Sequence, residues 1–273
     1  MVRAMPIRLA LLAALATFAP AAASAEALTQ DQILTAALLP GWQTESGTRM
    51  SALRLDLAPH WKTYWRSPGD AGIPPEFDWS GSKNLKAVHI HWPVPEVFHL
   101  NGMQTIGYVE ELVLPLEVVP QDPARPVELH ARVDLGVCND ICIPATVTLT
   151  ASLSGPGAPD RAIADALAHR PETPREAGLT DITCDVEPTA DGLRVTARIV
   201  MPAHSHDETV VFEPGRPGIW SSEAETNRDD GQLIAVSEMG ASSGQPFALD
   251  RSALTLTILS KGRGVEIPGC PAD

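Results

Sequence analysis

Hydrophobic positions along this chain recur mostly at every second residue, the period of a strand with one buried face. Leu53, Leu55 and Leu57 alternate with Arg54 and Asp56, and Val88, Ile90 and Trp92 repeat the pattern. Val127, Leu129, Ala131 and Val133 alternate, as do Val147 and Leu149 between Thr146, Thr148 and Thr150. Val109 to Val119 reads as a further strand region, in which Pro115 marks an edge or a break because proline has no N–H for a ladder. Helical spacing is confined to two short stretches. Gln30–Leu38 is expected to form a helix that Pro40-Gly41 ends, and Asp160–His169 a second that Pro171 and Pro174 stop. Between His60 and Trp79, Pro68-Gly69, Gly72 and Pro74-Pro75 predict a long loop carrying Trp61, Tyr64, Trp65, Phe77 and Trp79.

Ser154-Gly155-Pro156-Gly157-Ala158-Pro159 is a linker by composition. Beyond it, Leu193–Ile199, Thr209–Phe212, Gln232–Val236 and Leu254–Leu259 supply more strand regions, with Asp191-Gly192 as a turn. Short strands separated by Pro/Gly turns predict an all-β fold of two sandwich domains joined by a short linker with one helix. The expected boundaries are 26–153 for the first domain, 154–178 for the linker and helix, and 179–273 for the second domain.

The start of the chain adds a compartment. Arg3 and Arg8 precede an apolar run from Leu9 to Ala23, which ends in Ala23-Ser24-Ala25, a small-x-small cleavage signal. That order predicts a secretory signal peptide at 1–25 and a mature chain from Glu26. A membrane anchor is the competing reading, but the run is short for a bilayer span and finishes in the cleavage signal. No later segment is apolar for long enough to span, so a soluble periplasmic protein without direct membrane insertion is expected. The formal charge of −14 becomes −16 once a leader with two arginines and no acid is removed. Such a field repels nucleic acid and anionic lipid, and no nucleic-acid partner is expected.

Export also changes the meaning of the four cysteines, because disulfides persist in an oxidising space. Four cysteines allow three pairings, and the unequal spacing favours one local pair, Cys138 with Cys142, and one distant pair, Cys184 with Cys270. The local pair sits between the alternating segments 127–133 and 145–153, at the turn of a hairpin-like unit. A small ring there contributes little through chain entropy, and strain in a turn raises the reduction potential, which suits exchange. Two thiols serve such chemistry: one exchanges with a partner disulfide and the second resolves the mixed disulfide. Asp134 and Asp140 would disfavour a thiolate, and the sequence offers no strong local lever against them. C-x-x-x-C spacing is equally that of a structural hairpin disulfide. Cys184 and Cys270, closing a loop of more than 80 residues and pinning the C-terminus, read as a structural bond.

Two cysteines are half of a four-ligand zinc site, and His89, His91 and His99 make no standard cluster, so neither a metal nor a cofactor is expected. Trp61, Trp65, Trp79 and Trp92 read mainly as core. Tyr64, Phe98, Met103 and Tyr108, in Pro/Gly-rich segments, are candidates for a cap over Cys138 and Cys142.

Four stretches carry a family resemblance. They are Trp61-Lys62-Thr63-Tyr64-Trp65-Arg66-Ser67-Pro68-Gly69-Asp70-Ala71-Gly72, Ile90-His91-Trp92-Pro93-Val94-Pro95, Gly107-Tyr108 with the acidic pair and apolar run after it, and Val137-Cys138-Asn139-Asp140-Ile141-Cys142-Ile143-Pro144. In this order they resemble the N-terminal periplasmic domain of DsbD-like thiol:disulfide interchange proteins, and the ScsB-like branch in its cysteine spacing. The resemblance covers the first β domain and is weak over 179–273. It implies an immunoglobulin-like domain whose Cys138 and Cys142 take electrons from a thioredoxin-like domain and pass them to periplasmic protein disulfides. Longer members carry that thioredoxin-like domain and a transmembrane domain in one chain, and these 273 residues hold neither. The resemblance therefore implies a free-standing form supplied by a thioredoxin-like periplasmic protein or a membrane DsbD/CcdA-type electron donor. Copper tolerance, cytochrome maturation and disulfide repair are settings it admits.

Two other functions compete with this thiol-disulfide oxidoreductase. One is a non-redox β-sandwich adaptor with structural disulfides only. The other is a periplasmic Cu(I)-binding protein using soft cysteine ligands, with Met103 and His99 nearby in sequence.

Overall fold

The computed structural model describes residues 29–100 and 102–272. The expected signal peptide at 1–25 lies outside the described residues.

The chain is largely β-sheet, and every strand pairing is antiparallel. The first cluster begins with a four-residue helix, α1 (Gln30–Ile33), and strands β1 (Leu34–Gln43), β2 (Arg49–Leu57), β3 (Lys62–Gly69), β4 (Glu76–Asp78) and β5 (Leu85–Ile90). Then come β6 (Glu96–Leu100), β7 (Met103–Val109), β8 (Glu111–Pro120), β9 (Val127–Cys138) and β10 (Cys142–Leu153). One sheet has the order β1-β2-β8-β5 and the other β10-β9-β3-β7-β6, with β4 also on β9. Their facing apolar sides, among them Leu53, Leu55, Leu114, Leu116, Leu129 and Val133, make one core.

Helix α2 (Arg161–Ala168) follows, started by Asp160, whose carboxylate accepts from the Ala162 and Ile163 amides. The second cluster contains β11 (Asp181–Pro188), β12 (Leu193–Val200), β13 (Thr209–Glu213), β14 (Ile219–Ser221), β15 (Glu225–Asp229), β16 (Gln232–Ala241), β17 (Thr255–Ser260) and β18 (Arg263–Pro268). Its sheets run β11-β12-β16-β14, with β15 on β16, and β13-β17-β18, around a second core. Two sheet clusters with separate cores are consistent with two linked β-sandwich-like domains.

Three sequence expectations are corrected. The helix expected over Gln30–Leu38 stops at Ile33, and β1 runs on through Pro40-Gly41 to Gln43. Leu34, Ala36 and Leu38 also fit a two-residue period, and pairing with Leu57, Leu55 and Leu53 of β2 decides for strand. The expected loop from His60 to Trp79 contains β3 and β4. Pro115 is neither at an edge nor at a break, because β8 lies between β2 and β5. Its carbonyl accepts from His91 N–H, one residue past the end of β5. The missing N–H therefore faces the side where that neighbour has ended, and the ladder loses nothing.

The two clusters touch. The Arg66 guanidinium from β3 donates to Glu213 of β13 at 2.8 and 2.9 Å and to Glu266 of β18, while stacking over Trp65 at 4.6 Å. Burial works against this charge, but the two carboxylates outweigh it and hold Arg66 well above its ordinary pKa. Val211 and Leu259 of the second cluster pack into the first core.

Candidate thiol-disulfide site

Strand β9 explains where the cysteines sit. Its burial alternates from Val127 to Asp134, and then Leu135, Gly136, Val137 and Cys138 are buried in succession. The end of β9 is therefore covered on both faces. On one face is the core. On the other is Tyr64, 2% exposed, with the segment after β3. The Tyr64 ring is held edgewise between two glycines. A Cβ on Gly72 would stand 2.9 Å from Tyr64 Cδ1, and one on Gly136 would stand 3.2 Å from Cδ2 and 2.8 Å from Ile73 Cβ. A side chain at Gly72 would meet Pro68 first, at 2.3 Å, and then the ring, and one at Gly136 would meet Ile73 first, so both positions keep the space around the ring tight.

So gripped, the phenol points at the sulfurs. Tyr64 Oη donates to Cys138 Sγ at 3.0 Å and lies 3.4 Å from Cys142 Sγ. Burial pushes the phenol pKa up, which keeps it a proton donor at neutral pH. Cys138 and Cys142 are joined as a disulfide, their Cα atoms 4.1 Å apart across the β9–β10 turn, where Asn139 N–H donates to Ile141 O. The two sulfurs are unequally placed. Cys138 is 1% exposed, whereas Cys142 is exposed and follows Ile141, which is 59% exposed.

The remaining cap candidates have three different settings. Phe98 of β6 is half-buried and lies under the Lys62 ammonium, whose Nζ is 4.9 Å from the ring centroid. Met103 begins β7 beside the β6–β7 turn and is 47% exposed. Tyr108 lies on the face of β7 opposite to that paired with Tyr64, because Gly107 is the Tyr64 partner. Its hydroxyl donates to Pro93 O at 2.8 Å and its ring stacks on Trp92 at 6.4 Å, so it belongs to the core. Trp61, Trp65 and Trp92 are buried in that core, and Trp79 packs against its margin.

Sequence reasoning missed Lys62. Its Cα is paired directly with Cys138 across β3 and β9, which puts both side chains on one face. Alternation within β3 puts Tyr64 there too. Lys62 Nζ donates to Thr105 Oγ1 at 3.0 Å, and burial pulls its pKa below the usual lysine value. The signal was the i, i+2 spacing of Lys62 and Tyr64, which becomes visible only once the segment is read as a strand. Asp134, read from sequence as an obstacle to a thiolate, is engaged elsewhere. Its hydrogen bond from Arg132 holds its carboxyl below the usual range.

Cys184 and Cys270 are joined with Cα atoms 5.6 Å apart, and both are 1% exposed. Cys184 N–H donates to Pro271 O, and Arg251 donates to Cys184 O, so β11 and the C-terminal residues are fastened together. Among the described residues, no group of three or more His, Cys, Asp or Glu side chains is placed to hold a metal ion. No described helix is long and apolar enough to cross a membrane.

Residues 31–154 match the family model of the N-terminal domain of the thiol:disulfide interchange protein DsbD. The crystal structure of the N-terminal periplasmic domain of ScsB from Proteus mirabilis superposes with a TM-score of 0.68 at 23% identity, covering 90% of this chain and 97% of that one. Shared architecture thus extends through both sheet clusters. No curated protein sequence matches the chain.

Proposed function

We propose that the protein relays two electrons through Cys138 and Cys142 to periplasmic protein disulfides, a reading supported by the match of residues 31–154 to the N-terminal domain of DsbD and by the fold shared with the ScsB periplasmic domain. One observation carries the order of events: Cys142 is exposed while Cys138 is buried against Tyr64. A donor thiolate reaches Cys142 Sγ. A new S–S bond forms between donor and Cys142, the Cys138–Cys142 bond breaks, and its electron pair leaves on Cys138 Sγ as a thiolate. The donor's second thiol, after losing its proton, attacks the donor sulfur of the mixed disulfide and releases Cys142 as a thiolate. The donor is now oxidised, and the pair is a dithiol once protonated. Running the same steps onto a substrate, Cys142 attacks a substrate disulfide and Cys138 resolves it, which returns the pair to a disulfide.

The donor class in this reading is a thioredoxin-like periplasmic protein or a membrane DsbD/CcdA-type electron donor. The exposed Ile141, with Ile73 packed on Gly136 at 40% exposure, offers an apolar rim for such a protein surface. With the reading go an immunoglobulin-like redox domain at 26–153, a linker and helix at 154–178, a second β-sandwich domain at 179–273, and export directed by residues 1–25.

The test is trapping. The Cys138→Ser variant keeps the attacked sulfur and lacks the leaving one, so acid-quenched extracts should hold a mixed disulfide through Cys142. Cys142→Ser should hold far less. If both variants stay untrapped, or if Cys142→Ser alone is trapped, the proposed order fails. The potential of the pair gives an independent reading: exchange requires titration between about −120 and −270 mV, whereas a structural bond stays oxidised below about −300 mV.

A further inference from the structure

Resting on the relay reading, we infer that Lys62 is a positioning residue that supplies the positive charge for the Cys138 thiolate once the disulfide opens. The leaving sulfur needs such a partner. Cys138 is 1% exposed, so water stabilises its thiolate poorly, and burial alone would raise the thiol pKa. Tyr64 Oη supplies one hydrogen bond and no charge.

The charged and titratable groups on the elements around this face are of both signs, and Arg132 and His60 lie beside acids there. Besides Tyr64 they include Asp70 after β3, Glu96 on β6, Glu110 in the β7–β8 turn, Asp134 on β9 and Asp140 in the β9–β10 turn. Glu110 accepts from His60 N–H, and Asp134 is paired with Arg132. Among the described residues, none of the ion pairs uses Lys62. Its ammonium is therefore half-buried without a carboxylate, on the residue directly opposite Cys138.

In the disulfide state the ammonium has neutral partners: the Thr105 hydroxyl, the Phe98 ring at 4.9 Å and the Tyr64 ring at 5.9 Å. A thiolate beside the base of this flexible stem competes with them through charge. A cation near a cysteine lowers its pKa, and a leaving thiol of lower pKa leaves faster. The arrangement assigns Lys62 to the departure of Cys138, and Tyr64 to holding the sulfur in line.

The experiment isolates Cys138 as the thiol of the pair in a Cys142→Ser background and titrates its thiolate by ultraviolet absorbance. Lys62→Met keeps the aliphatic stem over Phe98 and removes the charge. It should leave about three- to tenfold less Cys138 thiolate at neutral pH, and Lys62→Arg should restore most of it. With Cys142 present, Lys62→Met should slow reduction of the disulfide by dithiothreitol by a similar factor. An unchanged titration and an unchanged reduction rate in a Lys62→Met protein with native circular dichroism would overturn the assignment. So would a loss that Lys62→Arg fails to restore at all. Both readouts use the purified protein alone, so they are separable from the relay reading, which stands or falls on trapping with a partner.

Discussion

Removing the two disulfides should have very different effects on folding, and the difference follows from where each lies in the chain. Cys184 and Cys270 are 86 residues apart, whereas Cys138 and Cys142 are 4 apart. A cross-link acts mainly by limiting the unfolded chain, with an entropy that grows with the logarithm of the loop. For the long loop this gives about 4.6 kcal/mol at 25 °C, and for the short one about 1.9 kcal/mol. The perturbation is a pair of double variants, Cys184→Ala with Cys270→Ala and Cys138→Ala with Cys142→Ala, so that no buried thiol is left alone. The assay is equilibrium urea unfolding followed by circular dichroism. With a urea m-value of about 1–2 kcal/mol/M for a unit of roughly 100 residues, the long-loop variant should lose roughly 2–5 M in the midpoint of its second-cluster transition. The short-loop variant should shift the first-cluster transition by about 1–2 M or less. Equal losses in the two variants, or a long-loop loss under about 1 kcal/mol, would refute the loop-length reasoning. The contrast matters for function. A pair proposed to spend time reduced is better placed where reduction costs little stability, as Cys138–Cys142 is and Cys184–Cys270 is not.

Three further outcomes follow from the geometry. Tyr64→Phe keeps the ring between Gly72 and Gly136 and deletes the donor to Cys138, so stopped-flow reduction should slow about three- to tenfold, as for one ordinary hydrogen bond of about 0.5–1.5 kcal/mol, while the unfolding midpoint barely moves. Arg66→Met leaves Glu213 and Glu266 facing each other without their cation. Breaking a fully buried pair costs about 3–5 kcal/mol; with Arg66 27% exposed the loss should be nearer about 2 kcal/mol, and hydrogen exchange should speed up on both sides of that contact. Glu176 accepts from Arg170 and from Thr173, which lowers its carboxyl pKa to about 2. A depressed folded-state pKa means its contribution is present above the ordinary value of 4.5 and disappears as pH falls to about 2. The melting-temperature gap between wild type and Glu176→Gln should therefore be constant above pH 5 and close by about pH 2.

Much of the strand content was legible because one buried face writes itself as alternation, as in Val127 to Val133 and Thr146 to Thr150. The local cysteine pair was legible from spacing, and the family segments from residue order. What failed did so for identifiable reasons. At the start of β1, Leu34, Ala36 and Leu38 suit either period, and their partners in β2 choose. In β3, Thr63, Tyr64 and Trp65 are buried in succession, so the segment shows no alternation to read. The family segment around Gly107 also acquires a reason: a Cβ there would stand 2.0 Å from Thr63 O, where β3 and β7 come together. Lys62 and Tyr64 reach the cysteines across 74 residues of sequence or more, and only the β3–β9 register brings them together. Arg66 is further from view, since its carboxylates come 147 and 200 residues later.

The placement of the pair reconciles two demands that normally conflict. Exchange needs a sulfur that a partner can approach along the S–S axis, which calls for exposure. It also needs a second sulfur whose position does not wander when the bond opens, which calls for burial. A hairpin end satisfies both when one of its two strands is covered on both faces. Cys138 ends the covered strand, with its backbone paired to Lys62 and its sulfur on the Tyr64 hydroxyl. Cys142 starts the open strand, just beyond the exposed turn. In the proposed relay, opening the bond therefore frees Cys142, while Cys138 stays on the strand and the phenol that locate it. The glycines at 72 and 136 are part of this device, because a side chain at either would crowd Pro68 or Ile73 and press on the Tyr64 ring that they surround.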